Sequence, residues 1–159
     1  MRNVPGPPYN SHMAKRAAKT PAVASAPQPQ APSPLKAPLR GKSFKDLVAS
    51  QEPLIAATAK RLRELVLRVE PHANENIYGA AKMAIALYSV GAPNHVLCGI
   101  QPNRSSCLLY IHNVTETDAP ELPLQGAGKN NRHLKFSAPP EVDAKALAAL
   151  LKLARSRIK

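Results

Sequence analysis

Residues 128–136 read Gly128-Lys129-Asn130-Asn131-Arg132-His133-Leu134-Lys135-Phe136. A glycine opens a cation-rich loop that runs straight into alternating positions, and Arg132, Leu134 and Phe136 share one parity, so a strand here turns all three to one face. Pro139 and Pro140 stop that strand. Beyond them Leu147, Leu150, Leu151, Ala154 and Ile158 recur at three- and four-residue intervals, the apolar stripe of a closing helix. Lys152, Arg155, Arg157 and Lys159 crowd its last turns, where cations complement the negative end of the helix dipole.

Working back from that strand, residues 77–136 are short apolar runs separated by turn residues. Strands are predicted at about 75–78, 82–90, 95–101, 107–113 and 132–137, joined tightly at 91–94 and 102–105. Such short connections require antiparallel neighbours. Ser43 with Asp46 three residues later approximates a capping box and marks where order begins. Pro53 suits the first turn of a second helix, whose predicted inner face is Leu54, Thr58, Leu62, Leu65, Val66 and Val69, ending at Pro71. Lys60, Glu64 and Arg68 align at four-residue spacing on its solvated side. The expected fold is α+β in two layers, an antiparallel sheet of about five strands flanked by N- and C-terminal helices.

Residues 1–42 differ in kind. They hold seven Lys or Arg, no Asp or Glu, and nine of the 17 prolines, and so carry most of the net charge of +12. Such a segment buries too little apolar surface to offset the entropy of ordering it, and it is predicted to be a disordered basic tail. Ser11-His12-Met13 resembles a cloning junction, which makes Met13 a candidate native start and residues 1–12 a candidate addition. The ordered domain is expected over 43–159. Cys98 and Cys107, on separate strands, lack the spacing of a zinc site or of a secreted disulfide framework, and no apolar run approaches the roughly 20 residues that span a bilayer. A cytoplasmic protein without a membrane partner is the expectation.

Taken as an ordered set, Asn74-Glu75-Asn76-Ile77-Tyr78-Gly79 after the long helix and Gly128-Lys129 to Phe136 before the last one resemble the signature of the YdhG-like domain family. The resemblance covers about 43–159. It implies the α+β architecture above, in a family largely of unknown function with one branch described as a frataxin-like intracellular iron chaperone. Ala80-Ala81 departs from the family's usual Met-Pro after Tyr-Gly.

Three candidate surfaces emerge. Arg132, turned inward by parity, wants a carboxylate, and Glu75 is its expected partner, as either a structural clasp or one wall of a pocket. Tyr78 and Lys129 would complete a ligand-binding cluster for a small anion. Glu116, Asp118 and Glu121 are acidic enough to hold a metal weakly, and iron enters through the resemblance; no cofactor is otherwise required. Lys15, Arg16 and Lys19 form a basic stretch able to neutralise nucleic-acid phosphates without sequence preference. His112 and Cys107 have opposite strand parity and cannot share a metal. Ser105 and Ser106 have no base or strained elbow to make either a nucleophile. The expectation is therefore a non-catalytic protein with an anion-receptive groove, the alternatives being an iron chaperone and a weak DNA-associated protein acting through its tail.

Overall fold

The computed structural model describes residues 38, 39, 42–80 and 83–159. The predicted tail, with Lys15, Arg16 and Lys19, lies outside the described residues. The predicted capping box is present: the Ser43 hydroxyl accepts from the Asp46 amide, and the Asp46 carboxylate accepts from the Ser43 amide at 2.8 Å. This starts α1 (Phe44–Ala49), and Pro53 opens α2 (Pro53–Val69). Leu62, Leu65 and Val66 are buried as expected. Leu54 is instead 62% exposed, and Ile55 takes the inward position in the first turn of α2.

Five strands follow, β1 (Asn74–Tyr78), β2 (Ile85–Ser89), β3 (Val96–Pro102), β4 (Cys107–His112) and β5 (Asn131–Phe136). Each is antiparallel to its sequence neighbour, giving the sheet order β1-β2-β3-β4-β5. The second strand is shorter than predicted. Met83 and Ala84 precede it, and Met83 donates its amide to the Ala80 carbonyl. A 3-10 turn at Pro139–Glu141 then leads to α3 (Ala144–Ser156), which Asp143 caps through the Ala146 amide.

All three helices pack on one face of the sheet. Ile77, Ala86, Tyr88, Ile100, Cys107, Leu109, Ile111, Leu134 and Phe136 meet Leu62 and Val66 of α2 and Leu147, Leu150 and Leu151 of α3 in one continuous core. Alternation holds along β4: Cys107, Leu109 and Ile111 face the helices, whereas Leu108 and Tyr110 face away. It breaks at the start of β3, where the register shifts between Tyr88 and Ser89 and brings both Leu97 and Cys98 into the helix-side core. No helix among the described residues is long and apolar enough to cross a membrane.

Candidate functional site

The inward carboxylate of β1 is satisfied locally. Glu75 accepts from Arg63 of α2 in a fork, at 2.6 Å from Nε and 3.2 Å from Nη2, and from the Tyr88 hydroxyl at 2.8 Å. Tyr88 pairs with Glu75 across the β1–β2 ladder and is wholly buried, so its hydroxyl has few other acceptors in reach. Burial first, and then the Glu75 charge, push the Tyr88 hydroxyl far above its usual range, which keeps it a neutral donor. Arg63 also lies over the Phe44 ring, 5.1 Å from its centroid, and so ties α1, α2 and the sheet together.

Glu75 and Arg132 do not meet. They stand on β1 and β5, the two opposite edges of the sheet. Arg132 Nη1 instead donates to the carbonyls of Gly128 and Asn131, bracing the turn into its own strand, while its buried Nε has no hydrogen-bond partner. Tyr78 belongs to the apolar cluster on the sheet face away from the helices, and Lys129 is exposed in the loop before β5. The expected cluster of Glu75, Tyr78, Lys129 and Arg132 is therefore dispersed over both faces and both edges. Strand parity correctly turned Arg132 to the helix side but carried no information about lateral strand order.

The expected acidic cluster is also divided. Asp118 accepts from both terminal nitrogens of Arg157 at 2.7 and 2.8 Å and from the Thr115 amide at 2.7 Å. The Arg157 hydrogen bonds, and then that of the Thr115 amide, hold its carboxyl well below the usual range. Glu116 and Glu121 are exposed to either side of it. Among the described residues, no three His, Cys, Asp or Glu side chains group so as to hold a metal ion. Burial lowers the His112 and His133 pKa values, and His133 lies 5.5 Å from Tyr110, ring to ring. Cys98 and Cys107 are free and buried; burial pushes the Cys107 thiol up to about 12.

What the fold does assemble is a groove of about 750 Å³ between α1 and α2. Phe44, Val48 and Ala56 supply apolar wall, and Lys45 and Lys60 stand at it with no ion pair among the described residues. Arg63 lines it too, but its charge is already matched by Glu75. Glu64 is the acidic member. The groove is concave and partly apolar, with a few polar groups. Ser43, in its lining, donates its hydroxyl to the capping Asp46 carboxylate at 2.7 Å. The sequence held a signal for it in the Lys45 and Lys60 positions of two successive helices, but their convergence depends on the angle at which Gln51-Glu52 joins those helices.

A smaller cavity of about 390 Å³ lies between α1 and the turn after β1, with Leu47, Ile77, Gly79 and Ala84 in its wall. Gly79 thus lies toward α1, while the Gly-Lys loop leads into β5 at the other edge of the sheet. Gly79 has φ +98°, and a Cβ there would stand 2.4 Å from the Met83 carbonyl oxygen, so the turn closes only over glycine.

Searches with known proteins give no match to a family model, to a curated protein or to a solved structure.

Proposed function

We propose that this is a non-catalytic, YdhG-like binding protein whose ligand, a small anion with an apolar body, occupies the groove between α1 and α2. The observation carrying this proposal is the pair Lys45 and Lys60, two ammonium groups without ion-pair partners beside an apolar wall. An anionic head between them gains charge-assisted hydrogen bonds, while the ligand's body covers Phe44 and Val48. Lysines act as point charges and do not demand the flat, two-pronged geometry that arginine imposes, so carboxylate and phosphate heads are both admissible. Arg63 holds the shape of the groove without giving up its Glu75 contact. The protein functions in a reducing, cytoplasmic setting in which both thiols stay free.

The test is native mass spectrometry of the full chain purified from its own host, compared with the denatured chain and with a Lys45→Ala/Lys60→Ala variant. A mass that disappears on denaturation and is lost in the variant supports the groove. A mass retained by the variant places the ligand elsewhere, and a bare wild-type protein removes the proposal.

A second proposal has its own observation. Of the ten carboxylates in the chain, Asp46, Glu70, Glu75, Asp118, Glu141 and Asp143 are spent on caps, backbone amides and ion pairs. The cations therefore dominate the outer surface of a chain with net charge +12, which favours loose, salt-sensitive association with nucleic acid. Binding that vanishes between low and moderate salt, and that weakens on substituting Lys15, Arg16 and Lys19, is the expected result. Salt-insensitive binding would exclude it.

A further inference from the structure

The outer side of the helix layer carries two rows of cations. On α3, Leu147, Leu150, Leu151 and Ala154 are buried against the sheet, and Lys145 and Lys152, two turns apart, are exposed on the opposite side. On α2, Arg61 and Arg68 are likewise two turns apart and exposed. A seam between the helices brings the rows together: its wall is Arg61, Leu65 and Arg68 of α2 with Val142 and Ala144, the last beside Lys145. None of these four cations has an ion-pair partner among the described residues, whereas Arg63, Arg155 and Arg157 all do. Of the nearby carboxylates, Glu70 is held by Arg155 and Asp143 caps α3, which leaves Glu64, in the seam itself, as the opposing charge among the described residues.

The shape of this surface selects an extended partner. The seam holds only about 40 Å³, room for about one water, so it offers no concavity to a small anion. Along each helix the two charges stand about 10 Å apart, roughly the rise of three base pairs of a duplex.

We propose that Arg61, Arg68, Lys145 and Lys152 form the face on which the folded domain lies against double-stranded nucleic acid, through backbone phosphates and without reading bases. This rests on the nucleic-acid association proposed above and assigns the folded domain's share of it to one face. Two considerations choose the duplex. Every described Phe and Tyr is buried, and the chain has no Trp, so the domain offers no aromatic shelf on which single-stranded bases could stack. A contact made by charge alone then gains most from the densest polyanion, and a duplex carries one phosphate charge per about 1.7 Å of its axis, more than a single strand. An anionic bilayer matches less well, since it also takes up apolar side chains, and Leu54 is the one large hydrophobic exposed on the described helices.

The experiment measures binding of the full chain to a short fluorescent duplex of mixed sequence across a salt series. Arg61→Ala/Arg68→Ala/Lys145→Ala/Lys152→Ala is set against Lys42→Ala/Arg104→Ala/Lys129→Ala/Lys135→Ala, which removes the same charge from exposed positions elsewhere. The face variant is expected to flatten the slope of log Kobs against log salt by about 3 to 4, the share of four phosphate contacts, and to weaken low-salt binding by roughly tenfold or more. The second variant should keep most of the slope, and Arg61→Lys/Arg68→Lys should bind like wild type, since each phosphate needs only a point charge. Equal flattening by both sets would overturn the face. So would unchanged binding by the face variant together with loss on substituting Lys15, Arg16 and Lys19, an outcome that keeps the association and places it in the tail. A single strand held as tightly as the duplex would overturn the choice of duplex. If the four residues matter for vesicles of anionic phospholipid and not for the duplex, the partner is a membrane and the proposal falls. A wild-type chain that binds no duplex at low salt removes the association itself, and this face with it.

Discussion

Tyr88 donates to Glu75 at 2.8 Å from a position with no exposure to solvent, and Arg63 closes on the same carboxylate from α2. Removing the acceptor strands a buried hydroxyl and a half-buried guanidinium together. Glu75→Ala is expected to lower stability by about 2 kcal/mol, and Tyr88→Phe by only about 1 kcal/mol, since the latter leaves the ion pair intact. Urea denaturation of both variants checks the order. Equal losses would mean that the hydroxyl and not the charge pair holds this corner.

Gly79 tests a backbone requirement. With φ +98° and only 2.4 Å between an added Cβ and the Met83 carbonyl oxygen, Gly79→Ala meets both torsional strain and a clash with main chain. A loss of about 2 kcal/mol or more is expected from thermal or chemical unfolding. Gly91 is the control: it also has positive φ, at +75°, but open space around its Cβ, so Gly91→Ala should cost less.

Mild acid should destabilise the fold through its histidines. Burial depresses the pKa of His112 and His133 in the folded state, so folding binds fewer protons than the unfolded chain does. Their contribution is complete above the unfolded value of about 6.5 and is lost as pH falls through the folded values. Unfolding midpoints should fall below pH 6.5, and His112→Gln should flatten that limb. Asp118, also depressed, acts in a separate window: its contribution is present above the ordinary carboxylate range, near pH 4, and disappears below it.

Arg157 binds the 113–118 loop from α3, donating to the Asn113 carbonyl at 2.8 Å and to Asp118. Asn113 has φ +60°, a conformation that asparagine tolerates but does not seek. Arg157→Ala should speed amide exchange at Val114, Thr115 and Asp118 while leaving the β3 amides protected. Uniformly faster exchange would show that the contact supports the whole fold.

The two thiols should be silent. With burial raising both pKa values, Cys107 to about 12, neither forms appreciable thiolate at neutral pH. Maleimide labelling of the native chain should fail and become stoichiometric in denaturant.

Local chemistry made much of the architecture readable in advance. Ser43 and Asp46 announced α1, Pro53 announced α2, and the alternation of Cys107 to His112 placed each side chain on its proper face. The site resisted for a different reason. Parity assigns a face, while the partner of Glu75 depends on which strands are neighbours and on the approach of α2, and these follow from packing across the whole sheet. The bulge before Cys98 escaped because nothing in Val96-Leu97-Cys98 announces an extra residue. Asp118 looked free in its loop because Arg157, 39 residues later, is brought to it only when α3 docks.

The sheet order has a kinetic meaning as well. Every strand pairs with its sequence neighbour, and the β2–β3 and β3–β4 hairpins close short loops at little entropic cost, whereas β4 and β5 are joined across residues 113–130. The exceptional long closure is between α2 and α3, tied by Arg155 and Glu70 across 85 residues. The meander is thus set to zip early and reversibly. The slow, committing event is the arrival of α3, which brings Leu147, Leu150 and Leu151 onto a surface the hairpins have already laid out.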